Sequence, residues 1–500
     1  MAINKKLYLL LPLSALFIIL SYHFYKDNAF LYDDAPESLS YYDSSLKSCP
    51  NEFSFIKRSS FPKLVLNIFG NCLPILHTER SGAFVFDTIH FLNSFFSKKN
   101  SLVIFKMTLS LLLLILYLNL TIKFSERLRI SPVMSTLLFF FSPYFFFLYE
   151  PYLIEKSIPL AIVATHLLLF SKHNKANLLA GLFSALCLFF IKMTFLFELI
   201  PVWILHFSYF KNKDLKKYTL GFLIGLIPLL IFNFAMFSKN WMFLTQDVTA
   251  YSSSIFQSLP LFLEFIFIPS SFYINGLFFQ PEYLELTEYL PLVALTTSLI
   301  ISTTYAIKKR NSFTLHLFAC FILCFIASYL LVMSKAKSNS MIYISSLGLY
   351  IPLLINFGFT RFQENNFFQK GAQVIQLALV LVFSFTLLFQ IPQLDIISNK
   401  GVIDYIKVSE ILTKRKIKGL VVDDFEKLNA KYLIPEVDLS FPKTYKEVSS
   451  RNGGFAILTS DLMKFHSYLE TDSSLKKFKR ESLVVNKEQN IILYLFVDHL

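Results

Sequence analysis

The sequence predicts a polytopic α-helical membrane protein of about eleven transmembrane helices, with a small C-terminal α/β domain outside the cytoplasm. Three observations predict it. The 500 residues are 54% apolar, include 58 Phe, and are only 16% charged, with long stretches that carry almost no charge. Lys and Arg gather in the short links between the apolar runs. From about residue 394 the chain returns to ordinary composition and to alternating helix and strand patterns.

Taken in order, apolar runs long enough to approach a bilayer crossing fall at 7–24, 101–121, 132–149, 153–171, 176–192, 194–210, 218–237, 288–306, 313–333, 341–358 and 374–393. The opening MAINKKLYLLLPLSALFIILSYHFY has basic residues before its apolar core and no small-x-small cleavage site after it. It reads as a retained first helix with a cytoplasmic N-terminus. Cytoplasmic links then hold Lys123, Arg127, Arg129, Lys172, Lys175, Lys211, Lys213, Lys216, Lys217, Lys308, Lys309, Arg310, Arg361 and Lys370. The short outer links hold only Lys156, Lys192, Lys335 and Lys337. An odd number of crossings and this bias agree. They place 25–100, 238–287 and the tail outside. The net charge of +13 is therefore a membrane-orientation signal spread over many links, and no nucleic-acid partner is expected.

Within the first outer segment, GAFVFDTIHFLNSFF (82–96) carries Asp87, His90 and Ser94 at helical spacing, with Phe84, Phe91 and Phe95 among its apolar positions. Such a helix lies in the membrane interface with its polar stripe toward water. LPLFLEFIFIP (259–269) reads as interfacial or re-entrant. In the tail, helices are expected at 404–416, at FEKLNAKYLI and at LMKFHSYLE, and strands at 417–424, 453–461, ESLVVN and NIILYLFV. The Gly pair at 453–454 precedes a strand, so it is no phosphate-binding fingerprint. Of the five cysteines, Cys187, Cys320 and Cys324 lie in apolar runs. Cys49 and Cys72 share the first outer segment, where a disulfide and two free thiols are both open. The sequon at Asn119 falls inside a crossing and takes no glycan.

The residues that invite chemistry are Asp33 and Asp34, in FLYDDAPES (30–38), a short distance past the first apolar run. A carboxylate at that depth can act as a general base on a hydroxyl, and the bilayer would hold a lipid substrate's head group at the same level. The same stretch is also a sound turn or helix start, because Asp caps and Pro fits the first turn. His166, His206 and His316 lie in apolar runs at unrelated spacings, and no metal site is read from them. Glu198 lies in an apolar run, where a carboxylate needs a partner or a wet cavity.

A first helix followed by an outer loop with an acidic pair near its start resembles the C-type glycosyltransferase superfamily, which includes protein O-mannosyltransferases and lipid A aminoarabinose transferases. Phe69, Gly70, Leu73, Pro74, Gly82 and Ala83 in FGNCLPILHTERSGAFVFDTIHFLNSFF, and the Lys-x-Thr-Phe-Leu of FIKMTFLFELIPV (190–202), are similar to stretches of bacterial members. The resemblance covers roughly residues 1–240. It implies a bacterial inner-membrane enzyme that takes a sugar from a polyprenyl-phosphate donor and passes it to an acceptor hydroxyl with inversion. Asp33 would be the base and Asp34 its support. Asp34 stands where the family usually has Glu, which leaves the two roles exchangeable. Lys192 and Arg80 would meet the donor phosphate. Glu150, Glu155 and His77 would orient the acceptor or steady the pair, and a divalent metal is compatible but not required. A transporter or flippase is the rival reading, which related halves and mid-membrane charge pairs would favour. A scaffold with an exported tail is a third.

Overall fold

The computed structural model describes residues 54–58, 61–68, 71–78, 81–82, 84–140, 157–171, 173, 175–191, 195–207, 212–237, 347–363, 405–417, 419–422, 438–440, 454–459, 478–486 and 491–498, with isolated helical positions at 15–19, 297–326 and 374. The expected elements at 259–269, FEKLNAKYLI and LMKFHSYLE, and most of the crossings at 7–24, 288–306 and 374–393, lie outside the described residues.

Residues 54–82 hold a sheet that the periodicity argument did not anticipate. Strands β1 (Ser54–Arg58), β2 (Phe61–Ile68), β3 (Asn71–Thr78) and β4 (Ser81–Gly82) pair antiparallel in sequence order. Pro62 and Pro74 sit within β2 and β3, and proline weakens a strand signal in sequence. The β2–β3 register closes at Ile68↔Asn71, leaving a two-residue link whose second residue is Gly70, the type such links favour. Helix α1 (Phe84–Asn93) follows directly. It is shorter than the expected 82–96: Gly82 belongs to β4 and Ser94 lies past the helix end. Phe91 and Phe95 are 63% and 67% exposed and meet edge to face at 5.2 Å, while Ile89 on the other side is buried. An exposed aromatic pair beside a buried face suits an interfacial helix.

Helix α2 (Lys98–Leu128) is capped by Ser97, whose Oγ accepts from the Asn100 amide at 3.3 Å. It ends at Arg129, which adopts a left-handed φ of 52° and donates its amide to the Ser125 carbonyl. Its portion Asn100–Leu128 is the one helix among the described residues long and apolar enough to cross a membrane. The helix outruns the expected 101–121 because Lys123 and Arg127, expected in a link, are helical. Then come α3 (Pro132–Phe140), α4 (Ser157–Phe170), α5 (Ala176–Phe190), α6 (Phe195–Phe207), α7 (Asn212–Phe237) and α8 (Leu347–Gln363). Here too Lys213, Lys216, Lys217 and Arg361 are helical rather than in links.

Contacts fix the helix directions. Near the C-terminus of α2, Phe124 meets His166 and Phe170 of α4, and the Arg127 guanidinium lies 5.2 Å over the Phe170 ring. Arg361 near the end of α8 donates to the carbonyl of Leu128, and is stacked over Tyr305 and Phe357. Helices α2, α4, α6 and α8 therefore share one direction, and their C-termini gather at one end, called here the arginine end. The strictly alternating crossings expected from sequence require this parity. Helix α5 runs parallel to α7, so closely that a methyl added at Gly181 or Gly221 would overlap the carbonyl oxygens of Tyr218 or Leu178, and one at Gly225 would lie 2.7 Å from that of Leu182. Gly221 and Gly225 form a G-x-x-x-G motif, a sequence signal of close helix crossing in membranes. The opposite side of α7 exposes Leu220, Leu223, Ile224, Ile227 and Ile231, a stripe suited to lipid.

In the tail, α9 (Tyr405–Lys414) leads into β5 (Gly419–Val422), β6 (Asp438–Ser440), β7 (Phe455–Thr459), β8 (Phe478–Asn486) and β9 (Ile491–Asp498). The sheet order is β6-β5-β7-β9-β8, parallel around β5 and antiparallel around β9. Strand β6 was not anticipated, because three residues carry no readable alternation. Phe455 stacks on Phe496 at 4.7 Å within a core that also holds Val421, Ile457, Phe478 and Tyr494. A Cβ on Gly454 would stand 3.1 Å from the Phe496 carbonyl, so this glycine serves close packing rather than phosphate binding.

Candidate functional site

At the end opposite the arginines, the sheet and α1 meet the bundle. Strand β3 packs against α1, α1 against the start of α2, and β4 against α5. Two of the expected phosphate cations flank this junction in sequence. Arg80 immediately precedes β4, and Lys192 comes two residues after the end of α5. The elements beside them are thus neighbours, although the two positions are 112 apart in the chain. The side chains of Arg80 and Lys192 themselves lie outside the described residues, as do Asp33, Asp34, Glu150 and Glu155. Glu155 stands two residues before α4.

His77 is described in its backbone. It sits in β3 between Leu76, paired with Gly82, and Thr78, paired with Ser81, at a point where the register shifts. Such irregularities re-aim side chains and are common beside active sites. Cys72 pairs with Asn67 in the β2–β3 ladder, and Cys49 lies outside the described residues.

Two charged side chains are buried among the described residues, Lys106 (0% exposed) on α2 and Glu198 (3%) on α6. Sequence reasoning passed over Lys106, although a lone lysine inside the apolar run 101–121 was a legible signal. Glu198 stands eight residues before His206, so it lies about 12 Å toward the sheet end along α6.

The arginine end carries a polar cluster whose parts sequence spacing did not connect. His166 Nδ1 is 2.8 Å from His206 Nε2, and His166 Nε2 is 2.7 Å from the Tyr350 hydroxyl. Residues 40 and 184 positions apart thus form one chain of hydrogen bonds across α4, α6 and α8, a link that spacing along the chain does not announce. Each ring nitrogen of His166 is satisfied by a side chain, which suits a structural tie. Among the described residues no group of three or more His, Cys, Asp or Glu could hold a metal ion. Nearby, Asn356 Nδ2 donates to the Ser131 carbonyl and to Ser135 Oγ, both at 2.7 Å, joining α8 to the start of α3.

The chain's fold is similar to that of ArnT from Cupriavidus metallidurans bound to undecaprenyl phosphate, with a TM-score of 0.59 at 8% identity over 98% of each chain. It is similar as well to ArnT from Cupriavidus metallidurans in the apo state, with a TM-score of 0.53 at 10% identity over 92% of each chain. No protein-family profile and no curated protein matches the sequence. The resemblance to the C-type superfamily drawn from short motifs is borne out in the fold, and it extends past residue 240 to nearly the whole chain.

Proposed function

We propose that this chain is an integral-membrane glycosyltransferase that moves a sugar from a polyprenyl-phosphate donor to an acceptor hydroxyl on the extracytoplasmic face. The observation that carries the reading is the fold shared over 98% of the chain with a protein crystallised on undecaprenyl phosphate. The junction of β4 with α5, which draws together the chain positions beside Arg80 and Lys192, supports the same reading.

In this reading one carboxylate of the pair, Asp33, takes the proton of the acceptor hydroxyl. The oxygen then bonds to the anomeric carbon as the bond to the phosphate oxygen breaks, inverting that carbon. The lipid phosphate leaves with the electron pair, and Lys192 and Arg80 meet its growing charge. Asp34 holds the base in place, and Glu150, Glu155 and His77 orient the acceptor. The acceptor class is an envelope glycolipid, a glycan or a protein hydroxyl.

The test is complementation of a deletion strain with Asp33→Asn and Asp34→Asn variants, read by mass spectrometry of surface glycolipids and glycoproteins. Loss of one sugar mass at normal protein level supports the enzyme. Unchanged glycans in both variants overturn it.

A further inference from the structure

Strand β8 is an edge of the C-terminal sheet, paired with β9 alone among the described residues. Phe478 is buried in the core, but Lys479, Arg480, Ser482, Leu483 and Val484 are exposed on both faces of the strand, with Leu483 at 38% and Val484 at 54%. Phe496 and Tyr494, which stand opposite Arg480 and Ser482 in the ladder, are buried. The core therefore ends at β9, and most of β8 projects beyond it.

A second basic run stands beside this edge. Lys414, Arg415 and Lys416 close α9 and are all exposed. Lys416 lies in the left-handed region at φ 55°, its amide donating to the Thr413 carbonyl and the Ile417 amide to the Leu412 carbonyl. Such a turn usually takes glycine. Here it sends Ile417 into the core and leaves Lys416 in water. Arg415 pairs with Glu481 at 2.8 Å, which brings the run against β8. Lys479 and Leu483 stand two residues either side of Glu481, on the same strand face. Five cations thus gather about two acids, Glu410 and Glu481, among the described side chains of α9, its closing turn and β8.

Lysines on an edge strand often keep other strands away, but a protective edge gains nothing by exposing Leu and Val. A second copy of the chain would bring the same cations against themselves. Cations beside exposed apolar side chains match a surface that is anionic outside and apolar beneath, which is an anionic bilayer. The tail is tethered close to one. Eleven residues separate the apolar run 374–393 from α9 at Tyr405, a reach of at most about 40 Å. Tethering makes docking an intramolecular event at high effective concentration.

We infer that the rim formed by β8 and the end of α9 docks on the anionic head groups of the bilayer, with Leu483 and Val484 entering the interface while Lys414, Lys416, Lys479 and Arg480 meet the lipid phosphates. The docking needs only that the chain lies in a membrane, so it stands or falls apart from sugar transfer.

The experiment places the full chain in nanodiscs of phosphatidylcholine alone, or of phosphatidylcholine mixed with phosphatidylglycerol, and follows amide hydrogen exchange over 405–417 and 478–486 by mass spectrometry. Exchange in both segments should slow in the anionic discs and recover at high salt. Each of Lys414→Gln, Lys416→Gln and Lys479→Gln should weaken docking about fivefold, and the triple variant about a hundredfold, which removes the protection. Buried strand β7 should exchange alike in every case, showing that the sheet stays folded. If the triple variant loses that protection, the single variants decide. A photo-crosslinking residue in place of Val484 identifies the occupant, and lipid adducts that require phosphatidylglycerol support the docking. Equal exchange in the two lipids, protection that survives the lysine substitutions, no lipid adduct at position 484, or a crosslink there to a second copy or another protein overturns it.

Discussion

His166 and His206 meet at 2.8 Å between two helices that share one direction, and the second nitrogen of His166 reaches the Tyr350 hydroxyl on a third. All three side chains are buried. The cluster ties the arginine end of the bundle, while the junction of β4 with α5 lies at the other end. The two ends can therefore be perturbed separately.

Removing one link of the histidine chain should cost stability with little effect on transfer. Tyr350→Phe deletes a single buried hydrogen bond, worth about 0.5–2 kcal/mol in a membrane protein. The expected result is a lower unfolding temperature in detergent with a nearly unchanged rate per folded molecule. A double-mutant cycle with His166→Phe should show non-additive losses, since both remove the same bond. Additive losses would mean that the two groups act independently.

Replacing Gly221 with Leu should be far more damaging than its exposed neighbour Leu220→Ala. The added side chain must displace the carbonyl of Leu178, which belongs to a packed helix backbone. Overpacking of this kind costs about 1–3 kcal/mol or more, and separation of α5 from α7 would follow. Fluorescence-detected size exclusion should show loss of the monodisperse peak for Gly221→Leu and its retention for Leu220→Ala.

Asp33→Asn should lower turnover about 10²–10⁴-fold, the usual contribution of a general base. The melting temperature should stay within a degree or two of wild type. Should Asp34→Asn prove the more damaging, the roles within the pair exchange. A single-turnover assay with a polyprenyl-phosphate sugar measures this directly.

Two substitutions in the tail should differ sharply. Phe496→Ala removes a ring stacked on Phe455 in the core of the sheet and should cost about 3–5 kcal/mol. Glu481→Gln breaks its pair with Arg415, at 2.8 Å but half exposed on the arginine side, and should cost under about 1 kcal/mol. Limited proteolysis between 405 and 498 should report the first and miss the second.

The apolar runs near 101–121, 153–171, 176–192 and 194–210 were legible because a helix in lipid must be apolar along its whole length, which leaves an unbroken signal in sequence. The ends of α2 and α7 were not. Lys123, Arg127, Lys213 and Lys216 look like link residues in composition, but a helix extends into the head-group layer without changing its hydrogen bonding. The β1–β4 sheet was missed because its stability comes from cross-strand partners rather than from any one segment. Strand pairs such as Asn67↔Cys72 have no mark that a single pass along the chain can read.

By itself the sequence determined which stretches are apolar, how Lys and Arg are shared among the links between them, and where an acidic pair stands relative to the first of them. These follow from local hydrophobicity and charge, which act residue by residue. Only the tertiary structure decided that His166, His206 and Tyr350 form one chain, that β4 lies against α5, and that Lys106 is enclosed rather than wet. Each of these depends on which helices become neighbours, and that is chosen by packing between distant segments, as at Gly181 against Tyr218, and not by any property of the segments taken singly.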